Sequence, residues 1–354
     1  MTNINVDSFR EKMDRFIDTF RKEYPLSAGI RITWQDKILY RRLVGCADYE
    51  NQIPLTGDSM FTLYSLSKPF CAIGLMRLKE KGLVDIDRHP GAYVPQARGF
   101  DSRVTIRQML HHTSGLPDFK QTKGFEEQYP YVAGRDMRDY VEKLVDFPMF
   151  FEPGCGARYA NVNFVICALI IENISGLSYA DYMKQEVFDA LGMKTAVVGR
   201  DGLEVEKQVK GYEVREGKIL YVGKTGEWML GAGDIMGTLD DVYCLNKAIK
   251  NKLLLKPETW DEILTPSPLN RMGMGCTLTR WHEKRRITHN GGALGFRTYH
   301  VQLPKDDLDI ILLANFGSGE DIRPKFAEGV YAAFYGADDL ESETVEMDKG
   351  YIVR

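Results

Sequence analysis

The sequence predicts an α+β fold in which one sheet is assembled from both ends of the chain. Two observations favour this architecture. A helix and a strand hairpin begin the chain, and a hairpin and a helix end it. The segment between them is dominated by helical patterns and by loops rich in Pro, Gly and His. We therefore predict a sheet domain of residues 1–85 and 200–340, an inserted helical domain of 86–199, and an acidic tail at 341–354.

The first element is predicted to be an amphipathic helix, because apolar residues recur at helical spacing over residues 6–20. Asp7 or Ser8 is expected to cap its start, since both residue types are favoured there. Two runs rich in apolar and β-branched residues, 28–34 and 38–44, surround a short polar turn. This pattern predicts a β-hairpin.

The middle of the chain contains three segments with helical patterns. Residues 70–83 form the first, with Gly82 as its expected stop signal. The strongly apolar segment 163–175 and the segment 179–191 form the other two, and a glycine follows directly after the last of them. The last two segments lie in the predicted inserted domain, whereas the first precedes it.

Strands resume after the helical middle, at 209–222, around a Glu-Gly turn. A helix is predicted at 239–250. Two strands at 296–303 and 308–315 flank a Pro-Lys-Asp-Asp turn and predict a second hairpin, and a helix at 322–335 follows it. These elements supply the C-terminal half of the predicted sheet domain.

The composition excludes several classes of partner. The 354 residues are 44% hydrophobic and 27% charged, with a formal net charge of −4 and no dense Lys/Arg stripe. Nucleic acid and anionic membranes are therefore not expected as partners. We see neither a signal-peptide pattern nor an apolar run long enough to cross a bilayer, which predicts a cytoplasmic protein. The six cysteines form no Cys-x-x-Cys pair, so free buried thiols are expected rather than a zinc site.

The first chemical candidate is the segment Ser65-Leu66-Ser67-Lys68. At the start of a helix, residues three apart lie on one face, so Ser65 and Lys68 can touch. A serine hydroxyl is a weak nucleophile until a neighbouring base takes its proton, and a lysine can do so when its pKa is lowered. Pro69 is tolerated only in the first turn of a helix, which places the helix start close to Ser65. The pair is common by chance and settles nothing on its own.

The second candidate is Tyr159-Ala160-Asn161. A tyrosine hydroxyl near a lysine ammonium can be shifted toward the phenolate and relay protons, and Asn161 offers a donor and an acceptor to a substrate amide. The alternative is structural, with Tyr159 in the core and Asn161 as the N-cap of the helix that follows.

The third candidate is His289-Asn290-Gly291-Gly292. A histidine on an edge strand can bind a substrate, and glycines allow a substrate backbone to approach closely. The alternative is a tight Asn-Gly turn with an incidental histidine. His111 and His112 are a further metal-site alternative, but neighbouring residues point in different directions, so a shared metal is improbable.

The three segments, in this order, resemble the Ser-x-x-Lys, Tyr-x-Asn and Lys-or-His-x-Gly motifs of one enzyme family. It comprises the serine β-lactamases of the AmpC-like class with their penicillin-binding-protein, esterase and D-aminopeptidase relatives. The resemblance covers roughly residues 31–315. Flanking stretches also match, at residues 105–117, 151–154, 171–176, 191–193 and 231–233.

The resemblance implies a β-lactamase/transpeptidase-like fold, in which a mixed antiparallel sheet is flanked by terminal helices and the active site lies in the cleft beside the helical domain. By this resemblance Ser65 forms an acyl-enzyme while Lys68 and Tyr159 share proton transfer. The oxyanion is expected between the backbone N–H groups of Ser65 and Gly292. Neither a metal nor another cofactor is implied. The implied substrate-binding residues are Asn161, His289, Asn290 and Gly291.

One position departs from the β-lactamases, which carry a lysine where this chain has His289. Histidine is only partly charged near neutral pH, so a β-lactam carboxylate loses a fixed positive partner. The sequence therefore predicts an acyl hydrolase of small ester, amide or peptide substrates rather than an efficient β-lactamase. A non-hydrolytic ligand-binding protein and an acyltransferase are the alternatives.

Overall fold

A six-stranded antiparallel sheet lies at the centre of the computed structural model. The structure describes residues 4–223, 229–317 and 320–336, and the backbone of 351–353. The sheet strands are β1 (Ala28–Trp34), β2 (Lys37–Val44), β3 (Thr277–Trp281), β4 (Lys284–Ala293), β5 (Phe296–Leu303) and β6 (Leu308–Ala314). Their spatial order is β3-β4-β5-β6-β1-β2, so strands from both ends of the chain meet where β1 pairs with β6. This arrangement confirms the predicted α+β fold.

Helices cover both faces of this sheet. The longer ones are α1 (Val6–Glu23), α2 (Lys68–Glu80), α3 (Met137–Leu144), α4 (Asn161–Ser175), α5 (Leu239–Asn251) and α6 (Arg323–Tyr335). Shorter helical segments are Tyr64–Ser67, Pro90–Ala92, Pro95–Ala97, Ile106–Leu110, Phe125–Gln128, Tyr179–Met183, Lys184–Phe188, Asp189–Leu191 and Pro257–Ile263. The predicted helix at 179–191 is thus divided into α-helical ends around a π-helical turn.

Short strands form four small sheets beside the central one. Cys46–Asp48 pairs with Ile53–Pro54, and Gly156–Arg158 pairs with the backbone of Tyr351–Val353. The two three-stranded sheets are Phe61–Thr62 with Ile235–Gly237 and Val197–Val198, and Phe316–Gly317 with Gly211–Arg215 and Lys218–Gly223. The predicted acidic tail otherwise lies outside the described residues.

The terminal helices α1 and α6 pack together on one face of the central sheet. Alternating strand residues such as Val301 and Leu303 point into this core, which also contains Phe326 of α6. The opposite face, represented by Ile311 and Leu313, packs against the core that contains α2 and α4. Because side chains alternate across a strand, each buried strand serves two cores, and each fully buried aliphatic side chain contributes roughly 1.5–3 kcal/mol.

The cap of α1 differs from the prediction of Asp7 or Ser8. Asn5 is the N-cap residue, and its side-chain oxygen accepts a hydrogen bond from the Ser8 backbone N–H at 3.0 Å. Asn5 has extended backbone angles, as an N-cap requires, whereas Asp7 already lies within the first helical turn. Its carboxylate can still interact favourably with the helix dipole there.

The segment His289–Gly292 lies within β4 rather than in a tight turn, so the turn alternative is wrong. The pairing of β3 with β4 runs only from Lys284 to Thr288. Beyond Thr288, β4 continues to Ala293 with β5 as its paired neighbour. The residues from 289 to 293 therefore form an open edge of the sheet, where backbone groups can face a ligand.

The helical region includes α4, which is buried along most of its length. Among the described residues, no single helix is long and apolar enough to cross a membrane. One bent pair of helices, 161–175 with 179–191, has the necessary length and apolar composition only when the two helices are taken together. All six cysteines are free. Cys71, Cys167 and Cys276 are buried as predicted, whereas Cys46 and Cys244 are half-buried and Cys155 is exposed. The predicted domain bounds remain a prediction.

Candidate active site

Ser65 lies in a 3-10 turn, Tyr64–Ser67, that leads directly into α2. Pro69 occupies the first turn of the helix, where its missing N–H costs nothing, as the sequence predicts. Tyr64, just before Ser65, has a φ of 50°, in the left-handed region that non-glycine residues rarely adopt. Strain of this kind is held in place by the surrounding structure and often occurs beside functional groups.

Hydrogen bonds fix this turn against two strands. The Ser67 hydroxyl accepts from the backbone N–H of Ile235 at 2.9 Å, and the Thr298 hydroxyl of β5 donates to the Leu63 carbonyl at 2.7 Å. Ser67 therefore points into the protein, while Ser65 remains half-exposed. Of the two serines in the motif, the structure leaves only Ser65 accessible to a substrate.

Lys68 is completely buried, and its Nζ lies within hydrogen-bonding distance of three oxygens. They are the Ser65 hydroxyl at 3.1 Å, the Asn161 side-chain oxygen at 2.9 Å and the Ala232 carbonyl at 2.7 Å. The last two can only accept hydrogen bonds. A neutral lysine amine has two N–H groups and one lone pair, so when both N–H groups bind these acceptors, the lone pair faces Ser65.

The pKa of Lys68 is lowered to about 7, chiefly because burial penalises the ammonium form. The buried carboxyl groups of Asp118 and Asp234 oppose this shift but do not cancel it. A substantial fraction of Lys68 is therefore neutral near neutral pH. This is the protonation state that a base for Ser65 requires.

Tyr159 lies beside the same lysine, with Lys68 Nζ 4.7 Å from the centre of its ring. Its ring is half-exposed, whereas its hydroxyl is buried. Burial raises the pKa of Tyr159, and the neighbouring Ser65 hydroxyl only partly offsets this effect. The expected shift toward the phenolate is therefore wrong in direction, because desolvation of the buried hydroxyl is the largest effect on its pKa. Tyr159 is a neutral phenol that can donate a proton.

Asp118 anchors the Tyr-x-Asn segment and was not identified from the sequence. Its buried carboxylate accepts hydrogen bonds from the backbone N–H groups of Asn161 and, at 3.1 Å, Val162. It thereby satisfies the first turn of α4, whose N-cap residue is Ala160 rather than the predicted Asn161. The Asn161 side chain is left free to meet Lys68. The available signal was the position of Asp118, directly after the matched stretch 105–117.

His112 supports Tyr159 from the other side, with the two rings stacked 4.4 Å apart. Its Nδ1 accepts hydrogen bonds from the Ala160 backbone N–H and the Asn163 amide, each at 3.2 Å. His111 instead contacts the Met272 carbonyl through Nδ1 at 3.0 Å. The two histidines thus have separate partners, and within the described ranges no group of three His, Cys, Asp or Glu side chains could hold a metal.

The loop Gly231-Ala232-Gly233 supplies the carbonyl that accepts from Lys68. Asp234 holds it in place, because its carboxylate accepts a hydrogen bond from the Gly231 backbone N–H at 2.7 Å. Burial raises the pKa of Asp234 to about 7.

The glycine at 291 allows β4 to approach the Ser65 turn. A Cβ atom added there would lie 2.0 Å from the Leu63 carbonyl oxygen and 3.0 Å from the Leu66 backbone nitrogen. The first distance is far shorter than real Cβ contacts, so any side chain at this position would require the backbone to shift. Gly292 and Asn290 are exposed on this edge. The structure therefore brings the third motif into contact with the turn that carries Ser65.

His289 is buried beside the site and is not the partly charged group that the sequence suggests. Burial, reinforced by the nearby charge of Lys68, lowers the pKa of His289 to about 3. Its Nδ1 lies 2.7 Å from the Asn290 carbonyl, which can only accept, so Nδ1 carries the proton. Its Nε2 is then a lone-pair acceptor, buried without a partner among the described residues.

Two known proteins are similar in sequence to most of this chain. Penicillin-binding protein 4* of Bacillus subtilis is 28% identical over 332 residues, which covers 86% of this chain and 72% of the relative. Esterase EstB of Burkholderia gladioli is 28% identical over 293 residues and covers 73% of this chain and 74% of the esterase.

Solved structures show the same fold. A penicillin-binding protein from Bacillus halodurans superposes with a TM-score of 0.78 at 23% identity, over 91% of this chain and 99% of that one. The D-amino acid amidase of Ochrobactrum anthropi superposes with a TM-score of 0.77 at 22% identity, over 94% of this chain and 99% of the amidase. These likenesses confirm the predicted β-lactamase/transpeptidase-like fold. The sequence also matches the Beta-lactamase family over residues 13–330, and the protein therefore belongs to this family.

Proposed function

We propose that this protein is a serine acyl hydrolase that cleaves small esters or amides through a covalent acyl-enzyme on Ser65. One observation carries the proposal above the others. The acceptors around Lys68 bind its N–H groups and leave its lone pair to Ser65, at 3.1 Å. Similar proteins that include an esterase and a D-aminopeptidase support the same class of reaction.

In the first half-reaction, Lys68 takes the proton of Ser65 as the serine oxygen attacks the substrate carbonyl carbon. A tetrahedral intermediate forms, and its oxyanion is bound by the backbone N–H groups of Ser65 and Gly292. The bond to the leaving alcohol or amine then breaks. Tyr159 donates the proton that this group needs and recovers one from the Lys68 ammonium.

In the second half-reaction, water replaces the departed group. Lys68, neutral again, takes a proton from the water as it attacks the acyl carbon, and the bond between the acyl group and Ser65 breaks. The proton returns to the serine oxygen, so the free enzyme is regenerated with the carboxylic acid product. Asn161, whose side-chain oxygen binds Lys68 at 2.9 Å, holds the base in place and presents its amide N–H groups to the acyl side chain.

His289 favours substrates other than β-lactams. A neutral imidazole whose Nε2 is an acceptor offers no positive charge to the carboxylate of a penicillin. We therefore propose plain esters and D-configured amino-acid amides or peptides as the substrate classes.

The first test is the intact mass of the protein after exposure to a fluorophosphonate probe and, separately, to a penicillin. We expect a stoichiometric fluorophosphonate adduct that peptide mapping assigns to Ser65, together with turnover of a chromogenic ester or D-amino-acid anilide. A penicillin adduct that persists without any ester or amide turnover would favour a non-hydrolytic ligand-binding protein. Absence of an adduct from both reagents would exclude an activated serine.

His289→Lys is expected to raise the ratio of penicillin to ester reactivity by about tenfold or more, because hydrogen bonds to charged groups contribute roughly 1.5–3 kcal/mol. The measurement is kcat/KM for both substrates in the same buffer. His289→Asn is the matched control, since it removes the imidazole without adding charge, and it should leave the ratio low. An equal ratio in all three proteins would show that residue 289 does not set this preference.

A further inference from the structure

The carbonyl oxygen of Gly291 points into the gap between β4 and β5. Nη1 of Arg323, the first residue of α6, donates to it at 2.8 Å and lies 3.5 Å from the carbonyl oxygen of Thr298. Thr298 is the residue paired with Gly291 across the two strands. In an antiparallel pair, the carbonyl oxygens of two opposite residues either both point into the space between the strands or both point away from it, to opposite sides. One nitrogen can reach both oxygens only in the first arrangement.

The direction of this carbonyl fixes the direction of the next N–H group. None of the described peptide bonds is cis, so the C=O of Gly291 and the N–H of Gly292 point in opposite directions from one rigid plane. The Gly292 N–H therefore points away from β5. On that side β3 has already ended, at the pair of Thr277 with Thr288, and Gly292 is exposed.

The same peptide plane lies next to the nucleophile turn. The space that a Cβ atom of Gly291 would need is taken by the backbone of Leu63 and Leu66, on either side of Ser65. A donor on the open edge at Gly292 is thus adjacent to the residue that would carry the acyl group. The orientation of one peptide bond decides whether that donor faces the reacting carbonyl.

Arg323 is well placed to hold this peptide. Its Nε and Nη2 bind the two carboxylate oxygens of Asp321 at 2.6 and 2.7 Å, which leaves Nη1 for the Gly291 carbonyl. Its side chain is only 12% exposed, so solvent screens the charge weakly. A cation on the carbonyl side of a peptide also polarises it and strengthens its N–H as a donor.

We propose that Arg323 is a positioning residue for the oxyanion site, acting through the Gly291–Gly292 peptide to orient and strengthen the Gly292 N–H donor. Asp321 is its anchor. The inference rests on the proposed function, because it assigns a device to the same acyl-transfer site. It predicts that Arg323 matters for the tetrahedral state and little for substrate binding in the ground state.

The test measures kcat and KM for a chromogenic ester, and the affinity for a boronic acid that forms a tetrahedral adduct on Ser65. Removing one oxyanion donor outright typically costs 10²–10³-fold in kcat, so loss of its support in Arg323→Met should cost about ten- to a hundredfold. Boronate affinity should fall by a similar factor while KM changes less than threefold. Arg323→Lys should recover part of the loss, because an ammonium can still donate to the carbonyl.

Lys325→Met is the matched control. It removes a cation from the same helix, where Lys325 pairs with Glu320 at the surface, and it should leave all three quantities near wild type. Thermal unfolding reports whether each variant is folded, and Asp321→Asn, expected to show a smaller loss of the same kind, replaces Arg323→Met if that variant does not fold.

With an active wild type, two results would overturn the inference. One is a folded Arg323→Met whose kcat and boronate affinity stay within threefold of wild type, and the other is a loss confined to KM. Wild-type protein that neither hydrolyses the ester nor binds the boronate would overturn the proposed function, and this inference with it. An active wild type with an unaffected variant would overturn the inference alone.

Discussion

Replacing Ser65 with alanine is expected to reduce kcat/KM for esters and amides by about 10⁴-fold or more, since loss of a catalytic nucleophile has effects of this order. The physical reason is that Ser67, the other hydroxyl of the motif, is buried and already accepts the Ile235 N–H, so it cannot take over. The measurement is steady-state hydrolysis of a chromogenic ester, with adduct formation by the fluorophosphonate probe as a second readout.

The fold should survive this change. Ser65 is half-exposed, and Lys68 keeps its bonds to Asn161 and Ala232 when the hydroxyl is lost. A lost hydrogen bond of this kind costs about 1 kcal/mol, which corresponds to a change of at most about 2–4 °C in Tm. Substrate affinity should therefore remain measurable in the inactive variant.

Ser67→Ala is the matched control, because it deletes the same oxygen two residues away. It leaves the Ile235 N–H buried without its acceptor and should lower stability by roughly 1–3 kcal/mol, yet it should retain turnover. Near wild-type turnover in Ser65→Ala would remove the nucleophile from the proposal, and loss of turnover in both variants would point to damage to the turn instead.

The sequence predicted best what depends on short spacing. Ser65 and Lys68 are three residues apart at a helix start, and their contact follows from helix geometry alone. The two hairpins were likewise local patterns and are present. By contrast, Asn290-Gly291 has the composition of a tight turn, and only its pairing with residues of β5 makes it a strand.

Several site features could not be predicted from residue type. Lys68 donates a hydrogen bond to the backbone carbonyl of Ala232, and Arg323 donates one to the backbone carbonyl of Gly291. Every residue has such a carbonyl, so residue type does not identify these acceptors. Asp118 reaches Asn161 across 43 positions of the chain, and nothing in its own neighbourhood specifies that partner. The protonation states of His289 and Tyr159 also depend on burial, which reverses the expectations drawn from their ordinary pKa values.

Lys68→Met is expected to lower kcat/KM by about 10²–10⁴-fold, the usual contribution of a positioned proton acceptor. Methionine has nearly the same shape but cannot accept a proton, so Ser65 keeps its hydrogen at the moment of attack. Lys68→Arg should be similarly impaired, because a guanidinium stays protonated and has no lone pair to offer. This second variant separates the need for a base from the need for a positive charge.

The pH dependence gives the sharper test. The active form has neutral Lys68, so wild-type kcat/KM should rise with pH through an apparent pKa of about 7 and fall about tenfold per unit below it. The residual activity of Lys68→Met should lack this limb. Asp234 has a pKa raised to a similar value, so Asp234→Asn is needed alongside. A limb that persists in Lys68→Met but disappears in Asp234→Asn would assign the titration to the aspartate and contradict Lys68 as the base.

The pH dependence of the free energy of unfolding should report the protonation of Lys68 independently of turnover. Because the pKa of Lys68 is lower in the folded protein than in the unfolded chain, unfolding takes up a proton between about pH 7 and the ordinary lysine pKa of about 10.4. The contribution of this group to the free energy of unfolding therefore rises with pH across that window and is constant above and below it. Chemical denaturation at several pH values should show that the difference in the free energy of unfolding between wild type and Lys68→Met rises with pH across this window. A constant difference would mean that Lys68 keeps its proton in the folded state, and the lone pair that Ser65 needs would then be absent.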